Sequence, residues 1–103
     1  NWATMIKTDK EEFYFDGVKD MMKYYFEKGG QFEQIYVSDY YKLTKIDAKS
    51  AFYVSGSNVF GPMGNELIPF ASEEDAKTFA RDHGGKKIVK FDEITAFMLE
   101  GLM

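Results

Sequence analysis

The sequence predicts an α+β fold: two repeated ββαβ units packed together, with a C-terminal helix. Three observations carry this. Each half reads strand, strand, helix, strand. Each helical run stops on a glycine pair, at Lys28-Gly29-Gly30 and His83-Gly84-Gly85. A constant offset of 55 residues sets Phe15 on Phe70, Asp20 on Asp75, Tyr24 on Phe79 and the first glycine pair on the second. The identity between the halves is low, so the repeat rests on these anchors. One ββαβ unit is too small to bury a core well, so the two should pack together or share a sheet.

The elements follow in order. Trp2 to Lys7 alternates loosely and reads as a strand, Thr8 to Glu11 as a polar turn, and Glu12 to Phe15 as the returning strand of a hairpin. Asp16-Gly17 is positioned to start a helix, with Asp16 accepting from the first-turn amides. Val18, Met21, Met22, Tyr25 and Phe26 then recur at helical spacing. Ile35-Tyr36-Val37 forms the next strand. Leu43 to Asp47, Ala51 to Val54 and Leu67 to Phe70 read as three short strands. Ser72 caps a helix whose first turn holds Glu73, Glu74 and Asp75, favoured there by the helix dipole, and Ala76, Phe79 and Ala80 form its narrow apolar stripe. Lys87 to Phe91 is a strand. Asp92 then caps a last helix through Ile94, Phe97, Met98 and Leu102. The chain is thus one domain over 1–103, with a first unit over about 1–40, a second over about 43–92 and the helix over about 92–103.

Composition narrows the function. With 45% hydrophobic and 17% aromatic residues, the chain can bury a real core and disorder is disfavoured. A net charge of −4 without a basic stripe disfavours a nucleic-acid phosphate backbone as partner. There is no cysteine, hence no disulfide and no thiol nucleophile. No apolar run reaches the roughly 18 residues of a membrane span. The chain begins at Asn1 rather than at an initiator Met, which points to a processed or trimmed N-terminus from which a targeting segment has been removed.

Catalytic signatures are sparse. Ser55-Gly56-Ser57 assembles no triad, and both glycine pairs follow helices, whereas phosphate cradles precede them. The single histidine, His83, reads as a cation or cap contact at a helix end. The acids at Asp9, Glu11 and Glu12 and at Glu73, Glu74 and Asp75 lack calcium-loop spacing and read as solvated surface. The remaining anomaly is Gly61-Pro62-Met63-Gly64, in the stretch that holds both prolines of the chain. Of the six methionines, Met21 and Met22 lie in a helix with aromatic neighbours, where core packing explains at least Met21, Met5 lies in a strand, and Met98 and Met103 belong to the last helix. Met63 alone has no periodicity to explain it. It is either a plug packed into the core or a soft-metal ligand, because a thioether suits Cu(I).

These residues resemble the NosL family of nitrous oxide reductase accessory proteins. The shared signature runs through Phe15-Asp16-Gly17-Val18-Lys19-Asp20-Met21, Ile35-Tyr36-Val37-Ser38-Asp39-Tyr40, Ile46-Asp47-Ala48 with Ala51-Phe52-Tyr53-Val54, Gly61-Pro62-Met63-Gly64 with Leu67-Ile68-Pro69-Phe70, His83-Gly84-Gly85 and Phe91-Asp92-Glu93. It covers nearly the whole chain in the same order. The resemblance implies two ββαβ units and no catalytic reaction. It implies a copper chaperone that binds Cu(I) in the periplasm or on the outer side of the bacterial inner membrane. That chaperone passes the metal toward the copper–sulfide centre of nitrous oxide reductase and works with a membrane transporter complex.

Met63 matches the family's Pro-Met-Gly methionine, the thioether ligand; no ligand role is carried to Asn65, and none is settled for His83. The family's cysteine motif precedes the first strand, so the resemblance implies a lipid-attached or thiolate cysteine ahead of Asn1. It also implies weak or no Cu(I) binding by the chain as it stands. The alternative is a non-metal scaffold or interaction domain of the same membrane assembly, with Met63 as a packing residue.

Overall fold

In a computed structural model of the chain, the structure describes residues 4–32, 34–60 and 65–101. The elements are β1 (Thr4–Lys7), β2 (Glu12–Phe15), α1 (Val18–Glu27), β3 (Gln34–Ser38), β4 (Lys45–Asp47), β5 (Phe52–Ser55), β6 (Ile68–Phe70), α2 (Glu73–His83) and β7 (Lys87–Lys90). A 3-10 turn (Phe91–Glu93) and α3 (Ala96–Glu100) follow.

The repeat is present, and it forms two sheets rather than one. The first has the order β2-β1-β3-β4 and the second β6-β5-β7. In each unit the first strand is central and is flanked by the second and third, every pair antiparallel. The units differ in one connection. Residues 8–11 join β1 to β2 in a tight turn, in which the Thr8 hydroxyl accepts from the amides of Lys10 and Glu11. The equivalent link between β5 and β6 is longer, residues 56–67, and includes Met63.

The boundary between units falls later than the sequence predicts. The strand expected within 43–47 to open the second unit is β4, which pairs with β3 (Val37 opposite Ile46) and extends the first sheet. The turn before it dictates this. The Asp39 carboxylate accepts from the Tyr41 and Lys42 amides at 2.9 Å each, the Asp39 amide donates to Thr44, and Leu43 takes φ 59°. A reversal this tight sends the chain back along β3.

Both helices end as expected. Gly29, Gly30 and Gly84 have φ 88°, 67° and 69°, the left-handed region in which glycine carries no Cβ penalty. The α2 start is also as expected, with the Ser72 hydroxyl accepting from the Asp75 amide. Two caps differ. Asp16 does not cap α1: Gly17 takes the N-cap position and offers no side chain to the helix. Asp92 does not cap the last helix either. It lies in the 3-10 turn, and the Thr95 hydroxyl accepts from Met98 to start α3. Starting there turns Leu99 into the core and leaves Phe97 84% exposed, so the apolar face predicted through Phe97 is shifted.

Most of the core is shared between the units. Ile6, Val18, Met21, Met22, Ile35 and Val37 of the first meet Tyr53, Leu67 and Val89 of the second, together with Ile94 and Leu99. Met21 and Met22 are both fully buried, which accounts for them as packing residues. The opposite face of the second sheet, Val54, Ile68 and Phe70, packs on Ala76 and Phe79 of α2. The second sheet is therefore covered on both faces.

Candidate functional site

The β5–β6 connection is the candidate site because it carries Met63. Gly61 to Gly64 lie outside the described residues, so the site is defined by what holds the two limbs.

The outgoing limb is held on the second unit. Gly56 has φ 75° and lies against the Lys86 side chain. The Lys86 amide donates to Ser55, and the Asn58 amide donates to the backbone carbonyl of His83 at 2.8 Å. The Ser57 hydroxyl accepts from the Val59 amide at 3.3 Å, and Val59 packs on the α2 core. Beyond it, Phe60 is 59% exposed. The His83 ring lies 4.5 Å from that of Phe79, tilted by 33°, at the end of a run of rings formed by Tyr40, Tyr41 and Phe70. His83 thus belongs to the α2 end and, through its backbone, to the base of this limb.

The return limb is held on the first unit. Glu66 is 4% exposed. Its carboxylate accepts from the Lys19 amide in the first turn of α1 at 2.7 Å and from the Leu67 amide at 3.0 Å. This is the cap that Asp16 does not supply. A carboxylate at a helix N-terminus meets both the free amides and the positive end of the dipole. Gly17 makes room for it, since a Cβ there would collide with the Glu66 carboxylate. At the mirrored junction of the second unit, Asp39, fully buried, accepts from the Ala71 amide at 2.8 Å just ahead of α2. Each unit therefore sends one carboxylate to the start of the other unit's helix.

Burial pushes the Glu66 carboxyl above its usual 4.5, opposed by the hydrogen bonds from the Leu67 and Lys19 amides and by the Lys19 ammonium, while Asp20 adds to the rise. A raised carboxyl binds its proton more tightly in the folded chain. Its contribution to stability is complete below pH 4.5 and is lost as pH rises through the folded-state value. Replacing Glu66 by Gln removes this slope. Urea midpoints of Glu66→Gln should therefore gain on those of the unchanged chain as pH rises above 4.5. A constant difference across that range would contradict the assignment.

Neither Glu66 nor Asp39 was singled out by sequence reasoning. A signal for Glu66 existed: it is the one charged residue between Ala51 and Phe70. Elsewhere the acids behave as solvated surface. Glu73 faces Lys77 at 4.0 Å and Asp75 faces Lys42 at 3.9 Å, pairs worth about 1 kcal/mol or less each. Among the described residues, no three His, Asp or Glu side chains converge as a metal site. Asn65 is exposed.

Comparison with known proteins decides the family. The NosL family model matches residues 2–99. The chain belongs to the NosL family. A NosL relative from Stutzerimonas stutzeri, named copper-binding lipoprotein NosL, is 47% identical over 55 residues, 53% of this chain. That match spans only 28% of the relative's length. The crystal structure of the copper chaperone NosL from Shewanella denitrificans superposes with a TM-score of 0.79 at 28% identity, covering 92% of this chain and 78% of that one. Both NosL proteins are named for copper and neither for a reaction. The α+β reading with two units and a C-terminal helix agrees with this neighbour. Among the described residues, no helix is long and apolar enough to cross a membrane.

Proposed function

We propose that the chain acts as a Cu(I) chaperone and that Met63 is its thioether ligand. The observation that carries this reading is the placement of Met63 in a NosL-family chain. It lies in the one connection by which the second repeat departs from the first, and the limbs of that connection are held on different units. A thioether is uncharged and needs no deprotonation, so it can take up and release Cu(I) without moving a proton. One thioether holds copper weakly. The second soft ligand is a thiolate supplied ahead of Asn1, on a chain anchored by lipid on the periplasmic side of the inner membrane. The receiving partners are the membrane transporter complex and nitrous oxide reductase, whose copper–sulfide centre takes the metal. Relatives named as a copper-binding lipoprotein and a copper chaperone support the metal and the anchor.

The test is a Cu(I) titration against a competing chelator, run under argon on this chain and on a longer one that carries the upstream cysteine, and the effect of Met63 is read in the longer chain. Met63→Ala should weaken binding about tenfold or more, equivalent to about 1.4 kcal/mol. The urea midpoint should stay unchanged. Equal affinity with and without Met63 would favour the scaffold reading, and lost stability at equal affinity would make Met63 a packing residue.

A further inference from the structure

We infer that the free edge of β2 is a self-association surface: two copies of the chain pair antiparallel through β2, with Phe13 opposite Phe13, and make one sheet continuous through both. The outer strands of the two sheets are β2, β4, β6 and β7. Three of them are guarded. β4 is three residues long and begins and ends on exposed charges, Lys45 and Asp47. β6 carries Pro69, which has no amide to donate, and the Pro69 carbonyl already accepts from the Tyr40 amide at 2.9 Å. β7 carries Lys87 and Lys90. Lysine, proline and shortness are the usual protections of an exposed edge. β2 has neither Lys nor Pro, three of its four residues are aromatic, and Tyr14 is 66% exposed.

The ladder fixes what this edge offers. The Thr8 amide donates to the Glu11 carbonyl at 2.8 Å, in step with the β1–β2 register, so Thr8 and Glu11 are a hydrogen-bonded pair. Bonded pairs alternate, so Ile6–Phe13 and Thr4–Phe15 are bonded too, and the backbone N–H and C=O of Glu12 and Tyr14 point away from β1 to the free edge. The side chains alternate as well. Phe13 and Phe15 lie on α1, each 5.4 Å from the Tyr24 ring. Glu12 and Tyr14 share the opposite face, where the Tyr14 hydroxyl donates to the Glu12 carboxylate at 2.6 Å.

Twofold antiparallel pairing sets one residue opposite itself. Centred on Glu12 or on Tyr14, it sets acid against acid: Glu12 on Glu12, or Glu12 on Asp16. Centred on Phe15, it runs β2 against the start of α1. Centred on Phe13, Glu12 faces Tyr14 of the other copy, the same two groups that bond within each chain, and exposed Lys10 faces exposed Asp16 at both ends. Charge complementarity therefore selects the Phe13 register. A strand edge buries less than the roughly 1,000 Å² of a stable interface, so the pairing is weak and needs high concentration.

The test is sedimentation of the chain from micromolar to millimolar concentration, with urea midpoints measured alongside. The weight-average mass should rise toward that of a dimer. Tyr14→Pro removes an amide that serves only the free edge, so it should abolish the rise and leave the midpoint nearly unchanged. Lys10→Glu and Asp16→Lys should each weaken association about fivefold or more, and the doubly reversed chain should regain it to within about twofold. Oxidation reads the register, because the chain has no cysteine of its own. Opposed residues of a non-bonded pair lie about 4.5 Å apart at Cα, within disulfide reach, so Phe13→Cys should cross-link two copies and Tyr14→Cys should not. If Tyr14→Pro does not fold, the charge reversals decide. A chain that stays monomeric at millimolar concentration, association indifferent to each single charge reversal, or cross-linking through Tyr14→Cys in place of Phe13→Cys would overturn this pairing.

Discussion

Phe79→Ala is expected to lower the unfolding free energy by about 3–5 kcal/mol, the usual cost of emptying a large core aromatic site. Phe79 is fully buried and is the centre of the second core. Its ring lies 5.1 Å from those of Phe70 and Tyr40, 6.1 Å from Tyr41 and 4.5 Å from His83. Removing it leaves α2 held on the sheet mainly by Ala76, which is too small to close the gap. The effect reaches the candidate site, because His83 loses the ring it lies on and its carbonyl anchors Asn58. Urea unfolding should give the stability loss, and amide exchange should show Asn58 opening with α2. A loss under about 1 kcal/mol would contradict this packing scheme.

Asp39→Ala is expected to cost about 2–3 kcal/mol, because a buried carboxylate that accepts from three amides leaves those amides without a partner when removed. Two of them, Tyr41 and Lys42, form the turn that returns β4 along β3, and the third, Ala71, belongs to the approach to α2. The Tyr40 amide also donates to Pro69 at this seam, at 2.9 Å. The loss should appear as a lower urea midpoint with faster exchange at Ala71. Asp39→Asn should fall between, since it keeps one acceptor oxygen and turns an amino group toward the other donor. If Ala71 exchange is unaffected, the carboxylate does not join the units.

Much of the fold was legible because its signals are local. Gly29, Gly30 and Gly84 need only their own φ, and Ser72 needs only an amide three residues on. The helical spacing of Val18, Met21 and Met22 predicts the buried face that is observed. The features sequence reasoning missed are those set by distant partners. Asp16 is a good N-cap by type, yet the role goes to Glu66, 47 residues away from the amide it accepts. The strand before Ala48 reads from sequence as the opening of the second unit, and the Asp39 turn places it in the first sheet instead. Phe97 fits an apolar helix stripe, but the start of α3 at Thr95 rotates it outward. For the site, Met63 stands out by its lack of periodicity, while Glu66 and Gly17 form a pair visible only once the units are packed.

The methionine methyl groups report directly on whether Met63 is a Cu(I) ligand. In a chain carrying 13C-labelled methionine methyls, the Met63 resonance is the one absent from the Met63→Ala spectrum. On addition of Cu(I) under argon, that resonance should shift, while those of Met21 and Met22, both fully buried, should stay in place. A Met63 methyl that does not respond to Cu(I), with or without a shift at another methionine, would contradict the assignment.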